Sequence, residues 1–561
     1  MNILGISSLD NNSAATLVAD GRIVAAVAEE RLTRVKMWAG FPALAVGEVL
    51  RIANLRPRDV DAVAYPFYPW SREARHILRG YVDNIMEERR EGGPRGPRWR
   101  HAAQYASWCV RGIHDHYHYG RELARELARR GWRSKLRRVE HHQAHGASAY
   151  FTAGVEEALV VTLDWYGGGL AGTVSLGRPS GLERLKDFVY PNSLGLFYAQ
   201  VTMALGFKVS RHEGKIVGLA AFGDPAVLYD RVRARFAVEN GDFRYRSAMD
   251  MRFARELAAR YPREHVAAVY QKVLEDVVQE VVSHHVRATG VRSVVLAGGV
   301  TANVKMNQRV HEIDGVDHVF IHPAMADEGT GTGAALQVGF EEGEVKPFAI
   351  DDVYLGPEYS ETAMRRAMET GGLRPQRIAD IEAEIARRIA RGQVVAHFDG
   401  RMEYGPRALG NRSILYHAKD PAVNGWLNQR LRRTEFMPFA PATLVEDASR
   451  CYVGLGGAEH TARFMTITCE CTESMKRESP AAVHVDGTAR PQLVDPIHAP
   501  RFHKILMEYR KLTGLSTVIN TSFNMHEEPI VCSPDDAVRA FNEGALDVLV
   551  LGPYLAERRS A

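Results

Sequence analysis

Cysteine is scarce in this chain: five residues in 561, with Cys469 and Cys471 the one close pair. Such a count supports neither a disulfide framework nor a zinc knuckle. Long apolar runs are missing as well. No stretch reaches the roughly 18 residues of a membrane span. The N-terminus opens on a strand-like segment instead of a charged region and an apolar core, so the expectation is a cytoplasmic protein without membrane contact. Charge of one sign is not in excess either. The 71 Lys and Arg against 68 Asp and Glu leave a formal +3, which gives no support to a nucleic-acid binder. Basic residues crowd 86–138, but acids and helix formers interleave them, the pattern of a solvated helical face. Nucleophile signatures are absent: there is no Gly-x-Ser-x-Gly elbow and no Walker loop. Gly167-Gly-Gly-Leu-Ala-Gly172 spells a dinucleotide fingerprint, yet it leads into a strand-like run and reads as a hairpin turn.

What is present is a set of polar loops at the ends of apolar strands. In Gly400-Arg-Met-Glu-Tyr-Gly-Pro-Arg-Ala-Leu-Gly-Asn-Arg-Ser413, glycines permit close backbone approach, and Arg401, Arg407 and Arg412 bring planar forks suited to carboxylate or phosphate. The strand-like Val394–Phe398 runs into this loop, which predicts an anion site at a sheet edge, with phosphate the expected anion. Val518-Ile-Asn-Thr-Ser-Phe-Asn524 ends another apolar strand in hydroxyl and amide groups, Asn520 and Ser522 among them. His484-Val-Asp-Gly-Thr-Ala-Arg490 is a third polar loop carrying an arginine. Together they predict a convergent polar pocket.

A chain of 561 residues is too long for one core. Residues 2–29 read as strand, polar tip and hairpin, the turn at Asp20-Gly21 being of the type I′ kind. The pattern returns in Ala158–Leu163, Asp164, the Gly167–Gly169 turn and Ala171–Leu176. Two copies predict a duplicated α/β core of the ribonuclease-H-like, actin and sugar-kinase type. A third unit, Ser293–Asn303, is strand, glycine pair and helix start; Gly298-Gly299 lets the backbone pass beside a flat or anionic ligand, with Asn303 facing the same cleft. Loop-like composition through 341–351, with Pro347 and Pro357, places a boundary near 345–380. The expected division is 1–345, a linker 346–379, and a second α/β domain over 380–561.

In Glu140-His-His-Gln-Ala-His-Gly146, His141 and His145 are four apart and share one face of a helix, a spacing that grips one metal. Asp164 at a strand end and Asp327 in Ala326-Asp-Glu-Gly-Thr-Gly-Thr-Gly333 add carboxylates, with Glu328 a neighbouring alternative. Two imidazoles and two carboxylates suit iron, manganese or zinc. Lys215, before Ile216-Val-Gly-Leu-Ala220, is either a phosphate-facing ammonium or an exposed helix lysine.

These blocks resemble the O-carbamoyltransferases of natural-product tailoring, the nebramycin and nodulation-factor type. The resemblance is carried by Ala28-Glu-Glu-Arg-Leu-Thr-Arg34 after the first hairpin, His-His-Gln-Ala-His, Lys-Ile-Val-Gly-Leu-Ala and Ala-Gly-Gly-Val. The C-terminal half adds the arginine loop, Arg433-Thr-Glu-Phe-Met-Pro-Phe-Ala-Pro441, His-Val-Asp-Gly-Thr-Ala-Arg and Asn-Thr-Ser-Phe-Asn. It implies an N-terminal domain like the threonylcarbamoyl-transfer protein and a C-terminal α/β domain like threonylcarbamoyl-adenylate synthase. The implied enzyme makes carbamoyl-adenylate from carbamoyl phosphate and ATP with Mg2+. It then passes the carbamoyl group to a hydroxyl of a small natural product or sugar. By position, His141, His145, Asp164 and Asp327 correspond to ligands of a metal, usually iron as Fe2+. Lys215, Gly298, Gly299 and Asn303 correspond to the adenylate site, and Arg407, Arg432, Arg490, Asn520 and Ser522 to the carbamoyl-phosphate site. Relatives carry His-Asp-x-Ser at the first polar tip where this chain has Asp10-Asn11-Asn12-Ser13, which leaves the acceptor proton to Asp10 or His142. Some relatives also place an arginine where Met437 stands, so that anion contact is either lost here or left to Arg432 or Arg433. Rival readings are a tRNA-modifying threonylcarbamoyl transferase fusion and a non-catalytic nucleotide sensor.

Overall fold

The computed structural model describes residues 1–8, 11–90, 98–433 and 436–558. The chain divides into two compact units, one of residues 1–24 and 39–350, the other of residues 25–38 and 351–561.

The first unit repeats one motif. Strands β1 (Asn2–Ser7), β2 (Ala14–Ala19), β3 (Arg22–Ala28), β4 (Ala62–Tyr65) and β5 (Leu136–Arg138) form a sheet in the order β3-β2-β1-β4-β5. β1 runs antiparallel to β2 and parallel to β4, and β4 is parallel to β5. The turn after β2 has Asp20 at φ 49° and Gly21 at φ 71°, the left-handed pair that a type I′ hairpin requires. Strands β6 (Ala158–Gly167), β7 (Leu170–Arg178), β8 (Gly181–Val189), β9 (Ser293–Ala297) and β10 (His318–Ile321) repeat the order as β10-β9-β6-β7-β8. This is the ribonuclease-H-like arrangement twice over, and Gly167–Gly169 is the expected hairpin turn.

Two helices lie between the sheets. Helix Thr330–Glu341 packs on β1, β2 and β4, helix His141–Thr152 packs on β6 and β9, and the helices pack on each other. Both carry small residues at the contact (Ala144, Ala147, Ser148; Gly333, Ala334, Ala335), all buried, which permits this close approach. Buried Leu4, Ile6, Leu17, Val160, Val161 and Leu296 fill the space around them. Each such side chain stabilises the fold by about 1.5–3 kcal/mol.

The second unit is built on an eight-stranded mixed sheet. Its strands are β11 (Gln376–Arg377), β12 (Val395–Phe398), β13 (Arg412–His417), β14 (Ala440–Leu444), β15 (Gln492–Val494), β16 (Thr517–Ser522), β17 (Val548–Leu551) and β18 (Tyr554–Glu557), in the order β11-β18-β17-β12-β13-β16-β14-β15. Helices Ile381–Ala390 and Pro500–Thr513 cover it over a core of Ile385, Ile389, Val395, Leu415, Ile505, Val518 and Val548. The segment read as a linker differs from that expectation. It holds helix Glu361–Thr370, capped by the Ser360 hydroxyl at 3.2 Å, which packs on helix Pro534–Glu543 and on β17 and β18. Pro347 and Pro357 therefore punctuate loops without leaving a free tether. Among the described residues, no helix is long and apolar enough to cross a membrane.

Candidate active site

The first site is built where the central helix of the first unit meets the ends of β6 and β9. Glu140 caps helix His141–Thr152, accepting from the backbone N–H groups of His142 at 2.9 Å and Gln143 at 2.8 Å. Its burial opposes ionisation, but His142, Arg184 and these N–H groups hold its carboxyl down at about 2, so it complements the helix N-terminus as an anion. One turn apart, the His141 and His145 rings face the same carboxylates. β6 bulges between Leu163 and Gly167, and the bulge turns Asp164 toward them. The His141 Nε2 lies 3.3 Å from Asp164 Oδ2 and 3.7 Å from Asp327 Oδ1; the His145 Nε2 lies 3.5 and 3.4 Å from the same two oxygens. The other oxygen of Asp164 accepts from the Trp165 and Gly299 N–H groups at 2.8 and 3.3 Å.

All four donors fall within 4.8 Å of one another. Ligands about 2.1 Å from one ion stand roughly 3.0–3.5 Å apart, so the arrangement fits a metal. A second observation agrees: His145 Nε2 and Asp327 Oδ1 are buried without a hydrogen-bond partner among the described residues. Burial lowers the affinity of His145 for a proton, yet the two carboxylates raise its pKa to about 9. Asp164 resists its own burial through the same histidines and stays far below the usual carboxylate range. Phe67 stacks on His141 with ring centres 4.7 Å apart, and Gly167 leaves room for that ring, since a Cβ there would stand 2.0 Å from His141 Cδ2.

The adenylate residues expected from the resemblance lie around this centre in different states. Gly298 has φ 100°, and a Cβ there would meet the Leu163 carbonyl oxygen at 2.2 Å, so no side chain fits. Gly299 touches Asp164 as described. Asn303 is committed internally: its Oδ1 caps helix Val304–His311 through the Met306 N–H at 3.1 Å, and its Nδ2 donates to Gln271 at 2.8 Å. Lys215 is buried in helix Glu213–Ala220 rather than exposed. His142 is 1% exposed, with Nδ1 3.0 Å from the Thr162 hydroxyl, and burial pushes it down to about 3. Asp10 lies outside the described residues.

The second site is the arginine loop of the second unit. It wraps around Glu403, whose Oε1 accepts from the N–H groups of Leu409, Asn411 and Arg412 at 2.8, 2.8 and 3.1 Å. Two of the three arginines read as anion ligands donate to backbone carbonyls. Arg412 is fully buried and donates to the carbonyls of Asp399, Asn411, Gly400 and Pro357 at 2.6 to 3.2 Å. Arg401 donates to the Leu355 and Gly356 carbonyls. Arg407 is half-buried in the same loop. β13 pairs with β16, Ser413 opposite Ser522, so the loop exit lies beside the 520–524 tip. Asn520 ties the two, donating to the Ala408 carbonyl at 3.2 Å and to Gln492 at 2.7 Å, while Gln492 donates to the Leu409 carbonyl at 2.7 Å. Arg490 is half-buried two residues before Gln492. Arg432 is exposed at φ 57°; its neighbour Arg433 reaches Ser522 and Asn524 instead, with distances of 2.7 to 3.3 Å. Sequence reading missed Glu403 and Gln492 as organisers of this loop, and offered Arg433 only as an alternative to Arg432. The signal was the lone acid inside an arginine-rich loop.

Comparison with known proteins defines the class. Residues 2–336 match the family model "Carbamoyltransferase N-terminus" and residues 386–558 match "Carbamoyltransferase C-terminus". The chain belongs to the carbamoyltransferase family and is a transferase. It is 32% identical to Nodulation protein NolNO of Sinorhizobium fredii over 565 residues, 98% of this chain and 79% of that protein. It is 35% identical to Nodulation protein NolO of Bradyrhizobium diazoefficiens over 441 residues, 75% of this chain and 79% of that one. Among solved structures, T. kodakarensis HypF aligns with 62% of this chain and 49% of its own at 15% identity and a TM-score of 0.33.

Proposed function

We propose that this chain is an ATP-dependent O-carbamoyltransferase acting in the cytoplasm on a hydroxyl of a small natural product or sugar. The observation that carries the reading is the His141–His145–Asp164–Asp327 set, buried except for a half-buried Asp327, beside the Gly298–Gly299 turn, in a chain whose two halves both match carbamoyltransferase models. In the second unit, carbamoyl phosphate is hydrolysed to carbamate and phosphate, and the carbamate oxygen attacks the α-phosphorus of MgATP. Carbamoyl-adenylate forms and pyrophosphate leaves. Arg407 and Arg490 are the arginines assigned to these anions, and Asn520 and Ser522 hold the wall beside them. Arg433 takes the place that the resemblance gave to Arg432, because it is the one directed at Ser522.

In the first unit, the acceptor oxygen attacks the carbamoyl carbon, its proton goes to a base, and AMP leaves with the electron pair of the broken bond. Carbamate by itself is a poor electrophile, and the mixed anhydride supplies the leaving group. A divalent metal held by His141, His145, Asp164 and Asp327, with iron as the assignment, supplies Lewis acidity and a template for the adenylate. Gly298 and Gly299 let the backbone approach it. His142 is enclosed and held neutral, so Asp10 is the better assignment for the base.

The test is release of phosphate and pyrophosphate by purified protein given MgATP with carbamoyl phosphate, against MgATP with bicarbonate and threonine. Release with carbamoyl phosphate alone, lost in Arg407→Ala, is the expected result. Release with bicarbonate and threonine, or none under either condition from folded, metal-loaded protein, would overturn the reading.

A further inference from the structure

The segment Ala25–Trp38 stands near the N-terminus but is counted with the second unit, and its contacts there fall on the loops of the candidate anion site. Helix Glu29–Thr33 carries Arg31, 7% exposed, whose Nη1 pairs with Glu30 at 3.0 Å while Nη2 donates to the Gly405 carbonyl at 3.0 Å. Gly405 lies two residues before Arg407. Leu32 packs on Met402, Ala408, Ile530 and Cys532, so the helix grips the arginine loop on both sides of Arg407. Arg34 closes the helix at φ 62° and places its fork on the 529–530 segment. Its Nη1 and Nη2 donate to the Ile530 and Pro529 carbonyls at 2.7 and 2.8 Å, and its Nε lies 3.3 Å from Asp536.

A loop of 13 residues between β12 and β13 has many conformations available, and holding it in one costs entropy. Glu403 fixes it from within and Asn520 from β16. Neither holds the Gly405 carbonyl, to which Arg31 donates. We propose that Arg31 is a positioning residue for Arg407: by clamping the Gly405 carbonyl, this N-terminal residue sets the carbamoyl-phosphate affinity of the C-terminal unit. Arg34 anchors the clamp without touching the loop. The guanidinium is required because one group serves Glu30 and Gly405 from two nitrogens at fixed spacing, which an ammonium does not reproduce.

The inference rests on the proposed activation chemistry, and its test separates the two. Full-length Arg31→Ala, Arg31→Lys and Arg34→Ala are compared with the unaltered protein for phosphate and pyrophosphate release and for amide hydrogen exchange over 403–409. In Arg31→Ala the KM for carbamoyl phosphate rises about tenfold or more while the KM for ATP moves less than about twofold. Arg31→Lys follows Arg31→Ala, and amides 403–409 exchange faster in both. Metal content of the first unit stays unchanged. A KM for carbamoyl phosphate unaltered in Arg31→Ala refutes the inference. So does an equal loss of both substrates, which would mark a merely structural role. Should the unaltered protein release no phosphate, the activation reading fails, and unchanged exchange over 403–409 would then refute the clamp by itself.

Discussion

The guanidinium carbon of Arg412 lies 3.7 Å from the centre of the Phe398 ring, so the charge closing the arginine loop rests on the strand that opens it. Stacking and four carbonyl acceptors together explain a fully buried arginine that has no ion pair among the described residues.

Arg412→Lys keeps the charge and loses the planar fork. Several carbonyls then lack a donor inside the protein, and the second unit is destabilised by about 2–4 kcal/mol. Urea unfolding should show that loss, with the metal content of the first unit unaltered. A variant as stable as the unaltered protein would mean that the buried fork carries little of the loop.

Gly167→Ala places a Cβ where the His141 ring stands, at 2.0 Å from its Cδ2. The ring must move or the hairpin must, and either shifts one of four ligands. Metal affinity should fall about 10- to 100-fold, read from bound metal after dialysis against graded chelator. Circular dichroism unchanged from the parent would show that the fold survives.

Stripping the metal and returning only Mg2+ should separate the half-reactions. Phosphate and pyrophosphate release should stay within about twofold, since the loop and tip residues of the second unit do not include the four ligands. Transfer to an acceptor should drop to background and return with Fe2+.

Glu73 offers a pH test. It is 1% exposed, one oxygen accepts from the Tyr68 N–H at 2.7 Å, and burial raises its pKa from 4.5 to about 7. The native state keeps a proton that the unfolded state releases, so stability falls as pH rises from about 4.5 to 7. Glu73→Gln removes that dependence. On metal-free protein its advantage in melting temperature should be small at pH 5 and grow by pH 8, with about 3 kcal/mol as a ceiling. An advantage that shrinks between those pH values would show that Glu73 is ionised in the folded protein.

The strand, tip and hairpin repeat was legible because Asp20-Gly21 and Gly167-Gly-Gly169 are local turn chemistry, and both turns form as expected. His141 and His145 were legible as a pair because four residues on a helix bring two side chains to one face. Which carboxylates meet them depends on a bulge in β6 and on the packing of two helices between two sheets, neither of which has a local signature. The arginines show the limit most plainly. Arg401, Arg407 and Arg412 look equivalent in the chain, and only the fold shows Arg401 and Arg412 donating to backbone carbonyls. Arg432 and Arg433 are adjacent, and a left-handed φ at Arg432 decides which one faces Ser522.

The order of residues alone determined the turns, the helix that carries two histidines, the strands that end in polar tips and the family to which the chain belongs. Each follows from short-range periodicity or from a run of residues read in place. Only the tertiary structure decided that residues 25–38 count with the second unit and that residues 351–379 of the supposed linker do too. It also decided that Glu403 organises the loop around Arg407. Those outcomes come from contacts between residues distant in the chain, where burial and hydrogen-bond satisfaction select the partner.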